Sequence, residues 1–128
     1  MTPSSTAHAL IDHWDKGDVL AADCPSRAIL QHLTSKWGTL VMVTLATGPH
    51  RFAALRRRIT GVSERMLAQT LQQLEADGFV LRQARDVVPP HVSYSLTPLG
   101  LEAAAHVMAL TAWIEGNLQR ILPPRTPG

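Results

Sequence analysis

Two segments in the first half of the chain carry hydrophobic residues at helical spacing. In SRAILQHL, Ile29, Leu30 and Leu33 fall on one side, which predicts an amphipathic helix that begins after the proline preceding this segment. The next segment, KWGTLVMVTLAT, is apolar nearly all round, as is typical of a central helix buried on most sides. Gly48 and Pro49 follow it and predict where it ends.

Two further helices separated by a tight turn are predicted next. In RFAALRRRI, Phe52, Leu55 and Ile59 point inward at spacings of three and four residues. After the turn TGV, Ser63 is placed to cap a second helix, which ends at Gly78. The inward positions of that helix are Leu67, Leu71 and Leu74. Its outward positions are Arg65, Ala68, Gln69, Gln72 and Ala76.

The spacing then changes from helical to alternating. FVLRQA and HVSYSL predict two strands, joined by the loop RDVVPP into a small hairpin. In the second strand Val92, Tyr94 and Leu96 share one face, opposite Ser93 and Ser95. The expected fold class is therefore mainly α with a small β-hairpin, an α+β arrangement.

The last long segment, LGLEAAAHVMALTAWIEGNLQRIL, predicts one helix that begins at Thr97 and Pro98. Its apolar residues form two stripes. The first stripe consists of Leu99, Ala103, Val107, Leu110 and Ile114. The second consists of Leu101, Ala104, Met108 and Ala112. One stripe can pack on its own domain, whereas the second needs another surface, and a symmetric partner subunit is the simplest source of one.

Length and charge indicate how the chain is divided into segments. The 128 residues, 45% of them hydrophobic, fit one domain. We expect an acidic arm at residues 1–23 with a possible short helix in AHALIDHW, an ordered domain at 24–121, and a flexible tail at 122–128. One lysine and four aspartates give the arm a net charge of −3, whereas nine basic and three acidic residues give residues 27–85 a net charge of +6. A polyanion would bind this middle part of the chain.

Cysteine and histidine usage argue against several function classes. A single cysteine excludes an intrachain disulfide framework and suits a reducing compartment. The N-terminal residues lack the pattern of a signal peptide, and the apolar runs are too short to span a membrane, so we expect a cytoplasmic protein. The six histidines are scattered, without metal-ligand spacing or a second cysteine. We therefore expect that the protein is not an enzyme and that it binds neither a metal ion nor a cofactor.

Two helices with a tight turn, followed by a hairpin, make a winged helix-turn-helix. The helix at 63–77 fits the major groove, where Arg65 and the outward glutamines could meet base edges. The arginines at 56–58, with Arg82 and Arg85 leading into the wing, would neutralise phosphates. Each feature alone has a plainer interpretation, because an arginine run can be a solvated helix face and outward glutamines need no partner.

From Cys24 to about Leu118 the chain resembles the HxlR-type winged-helix transcriptional regulators of bacteria, relatives of the MarR group. The matching pieces are CP at 24–25, KW at 36–37, GPHRF at 48–52, SERMLAQTLQQLEADGFVLR at 63–82 and PPHVSYSLTPLG at 89–100. The resemblance implies a homodimer on double-stranded operator DNA, with terminal helices forming the dimer and 63–77 as the recognition helix. The predicted DNA-binding residues are Arg51, Arg56, Arg57, Arg58, Ser63, Arg65, Gln69, Gln72, Arg82 and His91.

Cys24 has two interpretations. Cysteine is among the most buried residue types, so its side chain can simply pack in the domain. It also precedes a helix N-terminus, with Arg27 nearby, which is a place that suits a reactive thiol. The resemblance implies a candidate regulatory residue that senses oxidants or electrophiles, through a bridge across the dimer, a mixed disulfide, or direct alkylation or oxidation.

Two functions from different classes follow from these patterns. The first is a sequence-specific, dimeric DNA-binding regulator, more a repressor than an activator, with a possible small-molecule or oxidant inducer. The second is a winged-helix module for protein interaction or small-molecule sensing with little DNA specificity. Binding that requires DNA and its arginines distinguishes the first from the second.

Overall fold

The computed structural model of the protein describes residues 19–89 and 91–123. The helices are α1 (Pro25–Thr34), α2 (Lys36–Leu45), α3 (Phe52–Arg58), α4 (Glu64–Ala76), α5 (Pro98–Gly116) and α6 (Leu118–Ile121). The strands are β1 (His50–Arg51), β2 (Val80–Arg85) and β3 (His91–Leu96). The short helix predicted in AHALIDHW lies outside the described residues.

Hydroxyl side chains fix where three of the helices begin. Ser35, Ser63 and Thr97 precede α2, α4 and α5, and each hydroxyl oxygen accepts a hydrogen bond from the backbone N–H three residues later, at 2.9 to 3.2 Å. Each bond satisfies a donor that the first turn of a helix otherwise leaves unpaired. Gly78, with φ of +87°, ends α4 in the left-handed conformation. The predicted cap at Ser63 and the predicted helix start at Thr97 are confirmed.

The core lies between α2, α3 and α4 and extends to β2 and α5. The leucines predicted to line the inner side of α4 are fully buried, as is Leu55 of α3, and Ile59, which caps the C-terminus of α3, is 4% exposed. The buried hydrophobic residues are Val41, Met42, Leu45, Leu55, Ile59, Val62, Leu67, Leu71, Leu74, Phe79, Val80, Ala104 and Val107. Thr70 is buried among them, and its hydroxyl donates to the Met66 carbonyl at 2.7 Å. The predicted inner faces of α3 and α4 are confirmed.

The sheet has three antiparallel strands in the order β1-β3-β2, so the predicted hairpin is incomplete. β2 and β3 pair along their whole length, from Val80 opposite Leu96 to Arg85 opposite His91. β1 adds two residues on the other side of β3, where Arg51 pairs with Ser93. β1 is not evident in the sequence, because a strand of two residues has no visible alternation.

α1 forms as predicted, yet the described part of the chain leaves its apolar face uncovered. Ile29 is 37% exposed and Leu30 is 49% exposed. With Val19, Ser26 and Leu33 they line an open cavity of about 400 Å³. An apolar surface of this kind is typical of a helix that packs on a partner.

The predicted single C-terminal helix is wrong, because it breaks at Asn117. This residue has φ −125° and ψ 17°, outside the helical region, and separates α5 from α6. Its side-chain amide donates to the Trp113 carbonyl at 2.7 Å. Asparagine readily makes such local bonds with the backbone, which compete with continuation of a helix.

The expectation that one complete stripe of this segment packs on its own domain is also wrong. The buried residues of α5 are Gly100, Ala104 and Val107. Val107 belongs to the first predicted stripe and Ala104 to the second, so the buried face runs between the two stripes. Both stripes therefore leave an apolar outer edge exposed, which the periodicity could not show because the stripes adjoin on the helix surface.

Candidate nucleic-acid interface

The exposed side of α4 carries a continuous polar stripe. At 100° per residue, Arg65, Gln69, Gln72 and Ala76 fall within about 60° of one another, directly opposite the three buried leucines. All four side chains of the stripe are exposed. Because the leucines fix the rotation of α4 on the core, the guanidinium and the two amides project together, on a helix narrow enough to enter a major groove.

The N-terminal end of α4 is tied to α3 by side chains at the helix-turn-helix turn. The Arg56 Nη1 lies 3.6 Å from Glu64 Oε1, and both side chains are largely exposed. An exposed pair of this kind contributes little to stability, so Arg56 can exchange Glu64 for a phosphate. The Ser63 hydroxyl caps α4, which leaves its own O–H proton as the group that can donate to DNA.

The three consecutive arginines of α3 do not point to one place. Arg57 lies between two open depressions of about 420 and 490 Å³. It shares the first with Arg56 and the second with Arg51. Arg58 turns away, and its Nη1 lies 3.4 Å from both the Thr47 hydroxyl and His50 Nε2. The structure thus places Arg57 beside both Arg51 and Arg56 and directs Arg58 elsewhere.

The strand register divides the predicted wing residues between two faces of the sheet. Residues directly opposite each other on paired strands share a face. Arg82 pairs with Tyr94, on the face that also holds the buried Val80. Arg85 pairs with His91, on the opposite face, which Arg51 shares through its pairing with β3. Arg82 is therefore separated from Arg51 and His91.

Arg85 was predicted to neutralise phosphate together with Arg82, although the list of ten DNA-binding residues does not include it. It is exposed at the end of β2, beside the wing loop and opposite His91. The alternation of FVLRQAR already places residues 82 and 85 on opposite faces, and this could have identified Arg85 as the arginine that accompanies His91.

Residues 19–89 and 91–123 contain neither a cluster of metal ligands nor a helix that could span a membrane. No group of three or more histidine, cysteine, aspartate or glutamate side chains there is placed to hold a metal ion. No helix within these residues is long and apolar enough to cross a membrane. The candidate interface consists of arginine, amide and hydroxyl side chains with His91, whose chemistry suits phosphates and base edges.

Comparison with known proteins places the chain in a family. A family model described as HxlR-like helix-turn-helix matches residues 32–122. The chain belongs to this family. The HTH-type transcriptional regulator YtfH of Escherichia coli K12, described as uncharacterized, is 57% identical over 110 residues, which cover 86% of this chain and 87% of that protein. The predicted resemblance to HxlR-type regulators is confirmed.

Solved structures agree with this assignment. The putative transcriptional regulator ytfH from Salmonella typhimurium has a TM-score of 0.79 and is 56% identical, covering 82% of this chain and 94% of that one. The reduced form of the redox regulator HypR has a TM-score of 0.70 and is 34% identical, covering 76% of this chain and 96% of that one.

The relatives of this HxlR-like chain are transcriptional regulators, not enzymes, which confirms the predicted function class. The similarity to solved structures of such regulators confirms the predicted winged-helix fold. A DNA-binding function accounts for the exposed polar stripe of α4 and the basic residues beside it. The family match begins at residue 32, so it contains all ten predicted DNA-binding residues, whereas Cys24 precedes it.

Proposed function

We propose that this HxlR-like protein binds double-stranded operator DNA as a homodimer and represses transcription there. The observation that carries the proposal is the stripe of Arg65, Gln69 and Gln72 on the face of α4 opposite the core. Arginine pairs with guanine and glutamine with adenine in the major groove, and each good bidentate pair contributes about 1–3 kcal/mol of discrimination. α4 therefore acts as the recognition helix.

The basic residues around α4 supply the phosphate contacts of the proposed complex. Arg56 and Arg57 line the depression that also contains Glu64 at the start of α4, where the positive end of the helix dipole favours phosphate, and Arg51 lines the neighbouring depression with Arg57. Arg85 and His91 extend the basic surface to the wing. These contacts set the position of α4 in the groove, and the stripe of α4 reads the sequence.

Binding to a sequence selected from random duplexes by the wild-type protein tests this function. Arg65→Ala should weaken binding to the selected duplex by about tenfold or more while binding to a random duplex changes little. Gln31→Ala is the matched control, because Gln31 is an exposed glutamine of α1, outside the stripe and outside the sheet face that carries Arg51, Arg85 and His91. Equal losses for both variants would show that α4 is not the recognition helix, and failure to select any sequence would refute operator binding.

Exposed apolar side chains on the C-terminal helices support a homodimer. Leu110 and Trp113 are both more than half exposed. The large exposed hydrophobic residues of this region are Leu99, Leu101, Met108, Leu110, Trp113, Ile114, Leu118, Ile121 and Leu122. An isologous interface covers such a surface on both subunits at once. Trp113→Glu should convert the protein to a monomer, as measured by light scattering, whereas the control Glu115→Gln on the same helix should remain a dimer. If both variants remain dimers, this interface is refuted.

We further propose that Cys24 makes the regulator responsive to oxidants or electrophiles in the cytoplasm. Cys24 occupies the N-cap of α1 and is half-buried. HypR, which resembles this chain, is named a redox regulator. Treatment with a thiol oxidant should release the wild-type protein from its operator and leave Cys24→Ser bound, in gel-shift measurements. Equal release of both proteins would refute sensing by Cys24.

A further inference from the structure

The C-terminal end of α4 is attached to α1 by a short side-chain hydrogen bond. His32 Nδ1 lies 2.6 Å from Asp77 Oδ2, although the two residues are 45 positions apart in the sequence. Both side chains are largely shielded, with 23% and 13% of their surface exposed. Asp77 is the C-cap residue of α4, so this bond holds the point where the helix ends.

The same turn is held by α5 from another direction. The Thr97 hydroxyl donates to the Gly78 carbonyl at 2.6 Å, and the Thr97 N–H donates to the Phe79 carbonyl at 3.0 Å. Gly100 lies so close that a Cβ there would overlap the Phe79 carbonyl oxygen. The turn at 77–79 is therefore a junction between α4, α1 and α5.

The backbone carbonyl of His32 is in close contact with the start of α2. The Ser35 hydroxyl donates to the His32 carbonyl at 3.2 Å. A Cβ at Gly38 would overlap that carbonyl oxygen, so α2 packs directly on the end of α1. The end of α1 is thus packed against α2, and the bond to Asp77 links this packed end directly to the end of α4.

α1 and α5, the two helices that meet α4 at this junction, carry the exposed apolar surfaces described above. Leu30 belongs to the surface of α1 and Leu110 to that of α5. We propose that His32 is a positioning residue for DNA recognition, whose bond to Asp77 sets the angle of α4 relative to the dimer helices. The bond thereby sets the separation of the two recognition helices in the dimer. This inference rests on the proposed dimeric operator binding.

The length of α4 shows why a small change at the junction matters. Its 13 residues span about 20 Å. A swing of about 10° about one end moves the other end by about 3.4 Å, which is the rise of one base pair. Adding or removing one base pair shifts a half-site by this distance and also rotates it by about 35° about the DNA axis. A recognition helix that can swing this far offsets the axial shift, although not the rotation, so it should discriminate less between the spacings than a fixed helix.

Half-site spacing is therefore the readout that tests the junction. The probes are the duplex selected by the wild-type protein and two versions with one base pair added or removed between the half-sites. Wild-type protein should bind the altered duplexes about tenfold more weakly than the selected one. His32→Ala should reduce this discrimination to about threefold or less, with folding and dimerisation unchanged by circular dichroism and light scattering. A variant that merely destabilised the fold would weaken binding to all three duplexes equally.

Two companion variants separate the hydrogen bond from other effects of His32. His32→Asn keeps an N–H donor near the position of Nδ1 and should restore the discrimination. Gln31→Ala, an exposed neighbour on α1, is the control and should behave as wild type. Asp77→Ala should reduce discrimination as His32→Ala does, and the double variant should reduce it no further, because both changes remove one bond.

Normal spacing discrimination by His32→Ala, or additive losses in the double variant, would overturn the inference while the proposed function stands. A wild-type protein that selects no sequence with two half-sites would instead overturn the proposed function, and with it the role of His32. The two failures are thus distinguished by the wild-type experiment alone.

Discussion

Separate replacement of Arg57 and Arg58 tests whether neighbouring arginines of one helix have different roles at the DNA. Arg57 lies between two depressions, the first of which also contains Glu64 of α4, whereas Arg58 points to Thr47 and His50. Each phosphate contact contributes about 0.9 to the slope of log affinity against log salt, and a homodimer loses two contacts per substitution. Arg57→Ala should therefore make the slope less negative by about 1.8.

The size of this effect is measurable. Over a fourfold rise in salt, from about 50 to 200 mM, a slope change of 1.8 reduces the loss of affinity about tenfold. Fluorescence anisotropy with a labelled duplex at five salt concentrations gives both slopes. Arg58→Ala, with the same change in formal charge, should leave the slope within about 0.5 of wild type. Equal slopes for the two variants would refute the separate roles inferred from the side-chain directions.

Three stability predictions follow from local geometry, each measured by urea unfolding. Ser63→Ala removes the cap of α4 and should lower the free energy of unfolding by about 1 kcal/mol, whereas Ser63→Thr should retain most of this stability. An unchanged free energy of unfolding for Ser63→Ala would contradict the role of Ser63 as a cap. Gly100→Ala places a methyl group against the Phe79 carbonyl and should lower the free energy of unfolding by about 1–3 kcal/mol, whereas Gly116→Ala, which has open space around it, should not. Similar free energies of unfolding for the two variants would contradict the close contact at Gly100. Leu71→Ala opens a cavity in the core and should lower the free energy of unfolding by about 2–5 kcal/mol, and a loss below 1 kcal/mol would show that the site is not close-packed.

Local sequence was enough to predict the elements whose cause is local. The leucine spacing of α4 gave its buried face, and the hydroxyls before α4 and α5 gave their starts, because a cap and a helical period involve neighbouring residues. β1 depends instead on pairing with Ser93 and Tyr94, more than 40 residues away, and no pattern within His50–Arg51 records this pairing. The break at Asn117 was missed because the apolar residues continue on both sides of it.

The candidate interface shows the same division. Helical period predicted that Arg65, Gln69 and Gln72 share an exposed face, and the structure places them so. The different directions of Arg57 and Arg58 depend on contacts with β1 and the turn before it, which period alone cannot give. The His32–Asp77 bond joins helices far apart in sequence, so neither residue stood out before the fold was known.

The two residues of β1 have a mechanical consequence. β1 runs directly into α3, and its pairing with β3 joins the wing to the helix-turn-helix through backbone hydrogen bonds. A movement of the wing would therefore have to carry the start of α3 with it. In the proposed complex, the phosphate contacts of α3 and those of the wing would consequently form and break together.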